Sequence, residues 1–185
     1  MVKKNACVFI SGAGTNLKAL IKGSREYNYP INIKLIISSN KKAKGLNFAK
    51  IYKIPYLVLN LNNQLNLTLS LNKLKENNIS LICLAGYMKV LKKKFIDKYN
   101  GKIINIHPSL LPKYKGLDTF KRVLKSKEKI TGCTVHHVNS KIDSGKIILK
   151  KKIYIKENDN EITLKARVHQ VEYKIYREAI IRIFR

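Results

Sequence analysis

An asparagine and a histidine two residues apart are the first side chains in this sequence that could carry out chemistry. They lie in Lys102-Ile-Ile-Asn105-Ile106-His107-Pro108. If this run is a strand, Asn105 and His107 share one face of it. An amide can stabilise an oxyanion while the imidazole beside it moves a proton. The pair suits acyl-group chemistry, although two hydrogen-bonded polar residues at a strand end would give the same pattern.

A carboxylate in a turn is the second such feature. Asp143 lies in Ile142-Asp143-Ser144-Gly145, in a chain with only 11 acidic residues. An aspartate close to a histidine favours the imidazolium and can orient it or an attacking water. The same Asp-Ser-Gly sequence could also form a plain turn. Asp143 is therefore a candidate partner of His107.

A glycine-rich loop, Ser11-Gly-Ala-Gly-Thr-Asn16, follows the first apolar run. Its glycines let the backbone approach a phosphate, and the helix that follows offers N–H groups at its N-terminus. Leu17 replaces the third glycine of the dinucleotide fingerprint, and no acidic residue follows about 20 positions on. The Gly-Lys-Ser/Thr ending of a Walker loop is also absent. The loop predicts a cradle for one phosphate, unless it is only a tight turn.

The remaining histidines and the cysteines do not indicate a metal site. His136 and His137 are adjacent on a predicted strand, so they point to opposite faces and cannot chelate one ion together. For His169, on the closing helix, we expect a solvated or core-edge role. The cysteines lack the spacing of a zinc site or a disulfide framework: Cys7, Cys83 and Cys133. We expect no metal and a reducing cytoplasm.

Strands and helices alternate through the first part of the chain, which predicts a mostly parallel sheet with helices on both faces. The predicted strands cover residues 6–10, 33–37, 56–59, 81–84 and 103–106, and the helices 15–22, 45–52, 67–77 and 92–99. Ligands bind such sheets at the carboxyl ends of the strands. The glycine-rich loop and the Asn105–His107 pair both occur at such ends.

After residue 107 the regular alternation of strands and helices breaks. Residues 108–119 form a loop punctuated by Pro and Gly, of a length typical of functional loops. Two further strands, 133–138 and 147–155, predict an antiparallel C-terminal part of the sheet, and residues 162–184 predict a long closing helix. We expect a single α/β domain over residues 1–185.

Charge dominates the composition, with a formal net charge of +27 and 45% hydrophobic residues. Lysines occur in almost every segment, which indicates compositional bias rather than one nucleic-acid-binding face. We expect no specific nucleic acid partner, although a basic nucleic-acid-binding protein remains an alternative. The positive field should attract phosphates and carboxylates. No run approaches the ~18 apolar residues that span a bilayer, so we expect no membrane association.

Four motifs in order carry a resemblance that covers essentially the whole chain. They are Ile10-Ser-Gly-Ala-Gly-Thr-Asn16, Leu84-Ala-Gly-Tyr-Met-Lys-Val-Leu91, Asn105-Ile-His-Pro-Ser-Leu-Leu-Pro-Lys-Tyr-Lys-Gly116 and Asp143-Ser-Gly145. The set resembles the folate-dependent phosphoribosylglycinamide formyltransferases. The resemblance implies a Rossmann-like formyltransferase fold, 10-formyltetrahydrofolate as cosubstrate and glycinamide ribonucleotide as acceptor. It also implies direct formyl transfer without a metal.

The same resemblance implies roles for individual residues. The catalytic residues would be Asn105, His107 and Asp143. The acceptor substrate would be bound by Gly14, Thr15, Asn16 and Glu172. The folate would be bound by Met88, Lys89, Val90, Leu91 and Asn105. The resemblance also predicts a cis peptide bond between Leu111 and Pro112.

The chain departs from the family in two places. A basic residue that the family often places near the folate is not evident in Asn62-Asn63-Gln64, and Asp118 and Phe120 occur where histidines are common. Related enzymes of the same fold, methionyl-tRNA formyltransferase and formyltetrahydrofolate deformylase, remain alternatives. They typically carry a further domain, for which 185 residues leave no room. We expect a monomer or homodimer.

Overall fold

The computed structural model describes residues 2–184 and contains seven strands and six helices within that range. The strands are β1 (Lys4–Ile10), β2 (Ile31–Ser38), β3 (Tyr56–Val58), β4 (Ile79–Leu84), β5 (Lys102–His107), β6 (Ile130–His137) and β7 (Ile147–Tyr154). The helices are α1 (Thr15–Ser24), α2 (Leu46–Ile51), α3 (Gln64–Glu76), α4 (Lys93–Lys98), α5 (Thr119–Lys125) and α6 (Glu161–Phe184). Hydrogen-bonded neighbours in the sheet follow the order β3-β2-β1-β4-β5-β6-β7.

Backbone contacts divide the chain into two compact units, one running to Ile104 with Phe184 and the other covering residues 105–183. In the first unit, β1 pairs in parallel with β2 and β4, and β2 pairs in parallel with β3. The strand β1, which lies between β2 and β4, is fully buried from Ala6 to Ile10. A strand that is buried over its whole length is apolar on both faces, which explains its unbroken hydrophobic run.

The second unit contains the antiparallel pair β6–β7, the helix α5 and the long helix α6. The buried residues of α6 recur at helical spacing and form one face of the helix: Leu164, Val168, Glu172, Ile175, Tyr176, Ala179 and Ile180. Glu172 is the one charged residue on that face. No helix within residues 2–184 is both long and apolar enough to cross a membrane.

The fold class expected from the sequence is confirmed, namely an α/β fold with a mostly parallel sheet and an antiparallel C-terminal pair. Every predicted strand and helix is present, with ends shifted by at most a few residues. The cis peptide bond between Leu111 and Pro112 is also confirmed. The sequence interpretation missed α5, a short helix preceded by Asp118 in the left-handed region (φ 53°). That the whole chain forms one domain stays a prediction.

Candidate functional site

The end of β5 places Asn105 and His107 beside Asp143. The Nδ2 of Asn105 lies 3.4 Å from Asp143 Oδ1, and His107 Nδ1 lies 3.3 Å from Asp143 Oδ2. The prediction that Asn105 and His107 share a face is therefore confirmed, because both side chains reach one carboxylate. The three residues predicted to be catalytic form one cluster within residues 105–183.

The imidazole of His107 is buried and has an acceptor at each nitrogen. Its Nε2 donates to the carbonyl oxygen of Tyr114 at 2.7 Å, which leaves Nδ1 facing Asp143. Burial lowers the pKa of His107 below its usual value, while the Asp143 carboxylate and the Tyr114 carbonyl raise it; the charges of His136 and Arg122 lower it further. Since both nitrogens face acceptors, only the doubly protonated ring can donate to both partners.

The carboxylate of Asp143 is fixed from several sides. The backbone of Asp143 adopts φ 45°, and its Oδ2 accepts a hydrogen bond of 2.8 Å from the Gly116 N–H. A Cβ on Gly145 would lie only 1.7 Å from the His137 carbonyl oxygen, so this turn needs glycine there. Burial raises the pKa of Asp143, but hydrogen bonding to His136 and Gly116 and the charges of His107 and His136 bring it below its usual value. The carboxylate is therefore held ionised.

A fourth side chain, His136 on β6, joins this cluster and was missed as a site residue in the sequence interpretation. It is 2% exposed. Its Nδ1 donates to the His137 carbonyl at 2.8 Å, and its Nε2 lies 3.2 Å from Asn105 Nδ2 and 3.6 Å from Asp143 Oδ1. His136 thus contacts both the amide of Asn105 and the carboxylate that Asn105 faces. Burial along β6 is continuous from Thr131 to His136, with only the two end residues partly exposed, so strand alternation gave no signal that would have singled out His136.

The glycine-rich loop leads into α1 with Gly14 as its N-cap. Gly14 adopts φ 73°, and a Cβ there would meet the Cα of Gly45 at 2.5 Å, so both conformation and space require glycine. Thr15 and Asn16 begin α1, where the N-terminus of a ten-residue helix can receive an anion. The loop is held to the chain after β2 by a bond from Gly45 N–H to Gly12 oxygen. That this loop binds a phosphate stays a prediction.

A depression of about 280 Å³ lies in the same unit, lined mainly by the chain between β2 and β3. Four exposed lysines line it: Lys41, Lys42, Lys44 and Lys50. Since Gly45 packs on Gly14, this group of positive charges lies near the glycine-rich loop. It adds to the positive field that an approaching phosphate would meet.

The segment Met88–Leu91, predicted to bind folate, lies after β4 and is mostly exposed. The exposed fractions are 62% for Met88 and 61% for Val90; Lys89 is also exposed, whereas Leu91 is buried. The Met88 N–H donates to Ser11 Oγ at 2.8 Å. The structure therefore joins the predicted folate segment to the start of the predicted phosphate loop, within the same unit.

Two other sequence predictions concern Glu172 and metals. Glu172 on α6 is 3% exposed and lies 3.9 Å from the ring of His169. The sequence interpretation gave His169 a solvated or core-edge role, and its half-buried ring also lies near Phe120. Across residues 2–184, no group of three histidine, cysteine or acidic side chains has the arrangement that holds a metal ion.

Near Asn63, where the sequence lacks the basic residue that the family often has, the structure places a lysine from α4. Asn63 caps α3, its side chain accepting from the N–H groups of Leu65 and Asn66. The ammonium group of Lys94 on α4 donates to Gln64 Oε1 at 3.1 Å. A positive charge thus occurs at this place although none is present in the sequence of residues 62–64.

Comparisons with known proteins agree with this architecture. The family model for formyl transferases matches residues 4–180. A phosphoribosylglycinamide formyltransferase from Haemophilus influenzae is 41% identical over 177 residues, covering 94% of this chain and 84% of that protein. The crystal structure of phosphoribosylglycinamide formyltransferase from Bacillus halodurans superposes with a TM-score of 0.91 at 32% identity, covering 97% of this chain and 95% of that one.

A human relative, trifunctional purine biosynthetic protein adenosine-3, is 40% identical over 182 residues. The alignment covers 96% of this chain but only 18% of the human protein. The similarity thus concerns one part of that longer protein. Taken with the match over residues 4–180, these likenesses confirm the resemblance seen in the motifs, and the chain belongs to the formyl transferase family.

Proposed function

We propose that the chain transfers the formyl group of 10-formyltetrahydrofolate to the amine of glycinamide ribonucleotide. The products are formylglycinamide ribonucleotide and tetrahydrofolate, as in de novo purine biosynthesis. The observation that carries this proposal is the cluster of Asn105, His107 and Asp143. The side chains of Asn105 and His107, at the end of β5, both face the carboxylate of Asp143. Relatives of similar length bear the name of this activity.

The reaction begins with attack of the neutral substrate amine on the formyl carbon. A carbon–nitrogen bond forms, and the formyl oxygen becomes an oxyanion that needs hydrogen-bond donors. Asn105 Nδ2 and His107 Nδ1 supply them. Their present contacts to Asp143, 3.4 and 3.3 Å, are longer than the bond of 2.7 Å from His107 to Tyr114 and the bond of 2.8 Å from Gly116 to Asp143, so a substrate oxygen can replace them. Collapse breaks the bond to the folate nitrogen.

Proton balance assigns the role of Asp143. The attacking amine must lose one proton, and the departing folate nitrogen must gain one. The ionised Asp143 favours the protonated form of His107, against the burial that lowers the pKa of this imidazole, and orders the water that relays the amine proton. The low pKa of Asp143 suits this role, because its carboxylate stays charged when the imidazole next to it takes up a proton.

Binding of the acceptor is assigned to two groups. Gly14, Thr15 and Asn16 would hold the phosphate at the N-terminus of α1, where the backbone dipoles favour an anion. Glu172 would contact the glycinamide end, since a buried carboxylate is suited to an amine or amide donor. The four lysines between β2 and β3 would raise the rate of encounter with the anionic substrate.

Binding of the folate is assigned to Met88–Leu91 and Asn105. The exposed side chains of Met88 and Val90 offer apolar surface to a pteridine ring, and Lys89 offers a positive charge. Leu91, being buried, would support the segment from beneath. Lys94 would supply the charge that residues 62–64 lack toward the folate carboxylates.

A direct assay tests the proposed function. The protein is incubated with 10-formyltetrahydrofolate and glycinamide ribonucleotide, and folate absorbance is followed together with the mass of the ribonucleotide. We expect the ribonucleotide to gain one formyl group per tetrahydrofolate released. Formate release without an acceptor would instead indicate a deformylase. Sub-micromolar RNA binding at roughly 150 mM salt without formyl transfer would support the nucleic-acid alternative.

The remaining expectations concern the setting of the enzyme. We propose that residues 1–185 act as one domain in the cytoplasm, as a monomer or homodimer, without metal, membrane or specific nucleic acid partner. The three buried free cysteines agree with a reducing compartment. Sedimentation of the purified protein with and without substrates would determine the oligomeric state.

A further inference from the structure

The carbonyl group that fixes the His107 ring belongs to a residue in an uncommon conformation. Tyr114 adopts φ 56°, in the left-handed region that non-glycine residues rarely occupy. Its carbonyl oxygen accepts the 2.7 Å bond from His107 Nε2. Such a conformation persists only where the surroundings enforce it. The groups that hold Tyr114 therefore also determine where that carbonyl lies.

The side chain of Tyr114 is anchored at the C-terminal end of α5. Its hydroxyl lies 2.6 Å from Ser126 Oγ and donates to Glu128 Oε1 at 2.9 Å. The same carboxylate oxygen accepts from Lys113 Nζ at 2.8 Å. The pKa of Glu128 is lowered by its bonds to Lys113 and Tyr114, so it acts as a charged acceptor.

A second anchor comes from Arg122 on α5. Its Nη1 donates to the Lys115 carbonyl at 2.6 Å and to the Leu117 carbonyl at 3.3 Å. Its guanidinium lies 5.6 Å from the centre of the Tyr114 ring. Arg122, on the helix that the sequence interpretation missed, thus contacts the loop after His107 in two ways. It binds backbone carbonyl groups of the loop and lies beside the side chain of Tyr114.

We propose that Tyr114 and Glu128 are positioning residues, whose hydroxyl–carboxylate bond holds the Tyr114 carbonyl against His107 Nε2 and so directs His107 Nδ1 toward Asp143. A carbonyl can only accept, so this contact requires a hydrogen on Nε2. The second ring nitrogen is then the one that exchanges its proton with Asp143 or with substrate. Neither Tyr114 nor Glu128 needs to touch the reacting atoms.

Four groups around His107 influence its protonation, and they act in two opposite directions. Asp143 and the Tyr114 carbonyl favour its protonated form, whereas His136 and Arg122 oppose it. Moving the Tyr114 carbonyl away removes one of the two favourable groups without altering any charge. The effect on the imidazole should therefore resemble a weaker version of the loss of Asp143.

The test compares Tyr114→Phe and Glu128→Leu, which each break the hydroxyl–carboxylate bond, with Lys113→Gln, which removes only an exposed ion pair. Nitrogen-15 NMR of labelled histidine reports which nitrogen of His107 carries hydrogen. We expect a stable Nε2–H signal in the wild type and in Lys113→Gln, and loss of that preference in the other two variants. Because this measurement needs no turnover, it stands even if the proposed function fails.

Kinetics supply the second readout, which rests on the proposed function. In Tyr114→Phe and Glu128→Leu we expect kcat to fall about tenfold to a hundredfold, as for a small misplacement of a reacting group, with KM for both substrates nearly unchanged. The alkaline limb of the kcat profile should move to lower pH in these variants. An unchanged tautomer and an unchanged profile in both variants would overturn the proposal. If only one variant folds, that one decides it.

Discussion

The cluster around Asp143 and the segment Met88–Leu91 are built in opposite ways. Asp143 is surrounded by Asn105, His107, His136 and the Gly116 N–H, and both oxygens of its carboxylate are in contact with these groups. In Met88–Leu91, the side chains of Met88 and Val90 are more than half exposed. The backbone N–H of Met88 donates a hydrogen bond to Ser11 in the glycine-rich loop. The proposed chemical groups are oriented by internal contacts, whereas the proposed folate surface leaves side chains available for a ligand.

The largest effect is expected from breaking the enclosed cluster. Replacing Asp143 by Asn keeps the size of the side chain but removes its charge. We expect kcat to fall by about 10²–10⁴, the range for loss of proton-transfer assistance, while KM for either substrate changes little. Steady-state kinetics with both substrates varied measure this. A kcat equal to that of the wild type would remove Asp143 from the mechanism.

A backbone change should reproduce part of that loss without touching a proposed catalytic side chain. In Gly145→Ala the new Cβ would collide with the His137 carbonyl, so the turn carrying Asp143 must shift. We expect a kcat loss of about a hundredfold, as for a misplacement of about 1 Å. Gly12→Ala is the comparison for kcat at saturating ribonucleotide, since a Cβ there meets nothing within 4 Å, although Gly12 lies in the proposed phosphate loop and its replacement can raise KM. Equal kcat of the two variants would contradict the account of the turn.

The exposed segment should respond in KM rather than in kcat. Met88→Ala and Val90→Ala remove apolar surface that is proposed to contact folate. We expect KM for the folate to rise about 5–30-fold for each, corresponding to about 1–2 kcal/mol of buried apolar contact, with kcat preserved. Leu91→Ala is the contrasting variant, because Leu91 is buried. It should instead lower the free energy of unfolding by about 2–5 kcal/mol. A kcat loss in Met88→Ala with unchanged KM would show that the segment does not act through binding.

The smallest effect concerns pH and stability. Burial lowers the folded-state pKa of His107 below its unfolded value of about 6.5, so the unfolded state binds more protons between the two values. This contribution to stability is present above about pH 6.5 and is lost as the pH falls toward the folded-state pKa. Urea unfolding at several pH values should show a weaker decline for His107→Asn than for the wild type. Parallel declines would mean that His107 titrates alike in the folded and unfolded states.

The sequence predicted those features that depend on local pattern. The buried run of β1 and the shared face of Asn105 and His107 follow from strand periodicity, which neighbouring residues carry by themselves. Helix α5 was missed although Asp118, a residue type typical of N-caps, precedes it, because its seven residues are too few to show a clear helical periodicity next to the Pro- and Gly-punctuated loop. The resemblance supplied the remaining site residues, and their roles stay predictions.

The part played by His136 could not be predicted from pattern alone. Its contact with Asn105 joins residues 31 positions apart on β5 and β6. The bond from His107 to the Tyr114 carbonyl likewise depends on how the loop returns, which the Pro- and Gly-rich composition does not specify. Long-range contacts of this kind arise from the tertiary structure, so periodicity gives no sign of them.

The most direct test of the central claim is transfer of a labelled formyl carbon in a single turnover. Wild-type protein and His107→Asn are each mixed in excess with 10-formyltetrahydrofolate labelled at the formyl carbon, and glycinamide ribonucleotide is then added. The account predicts that the label appears on the ribonucleotide with the wild type, and at least about a hundredfold more slowly with His107→Asn. Label transfer at the same rate by both proteins, or none by the wild type, would contradict it.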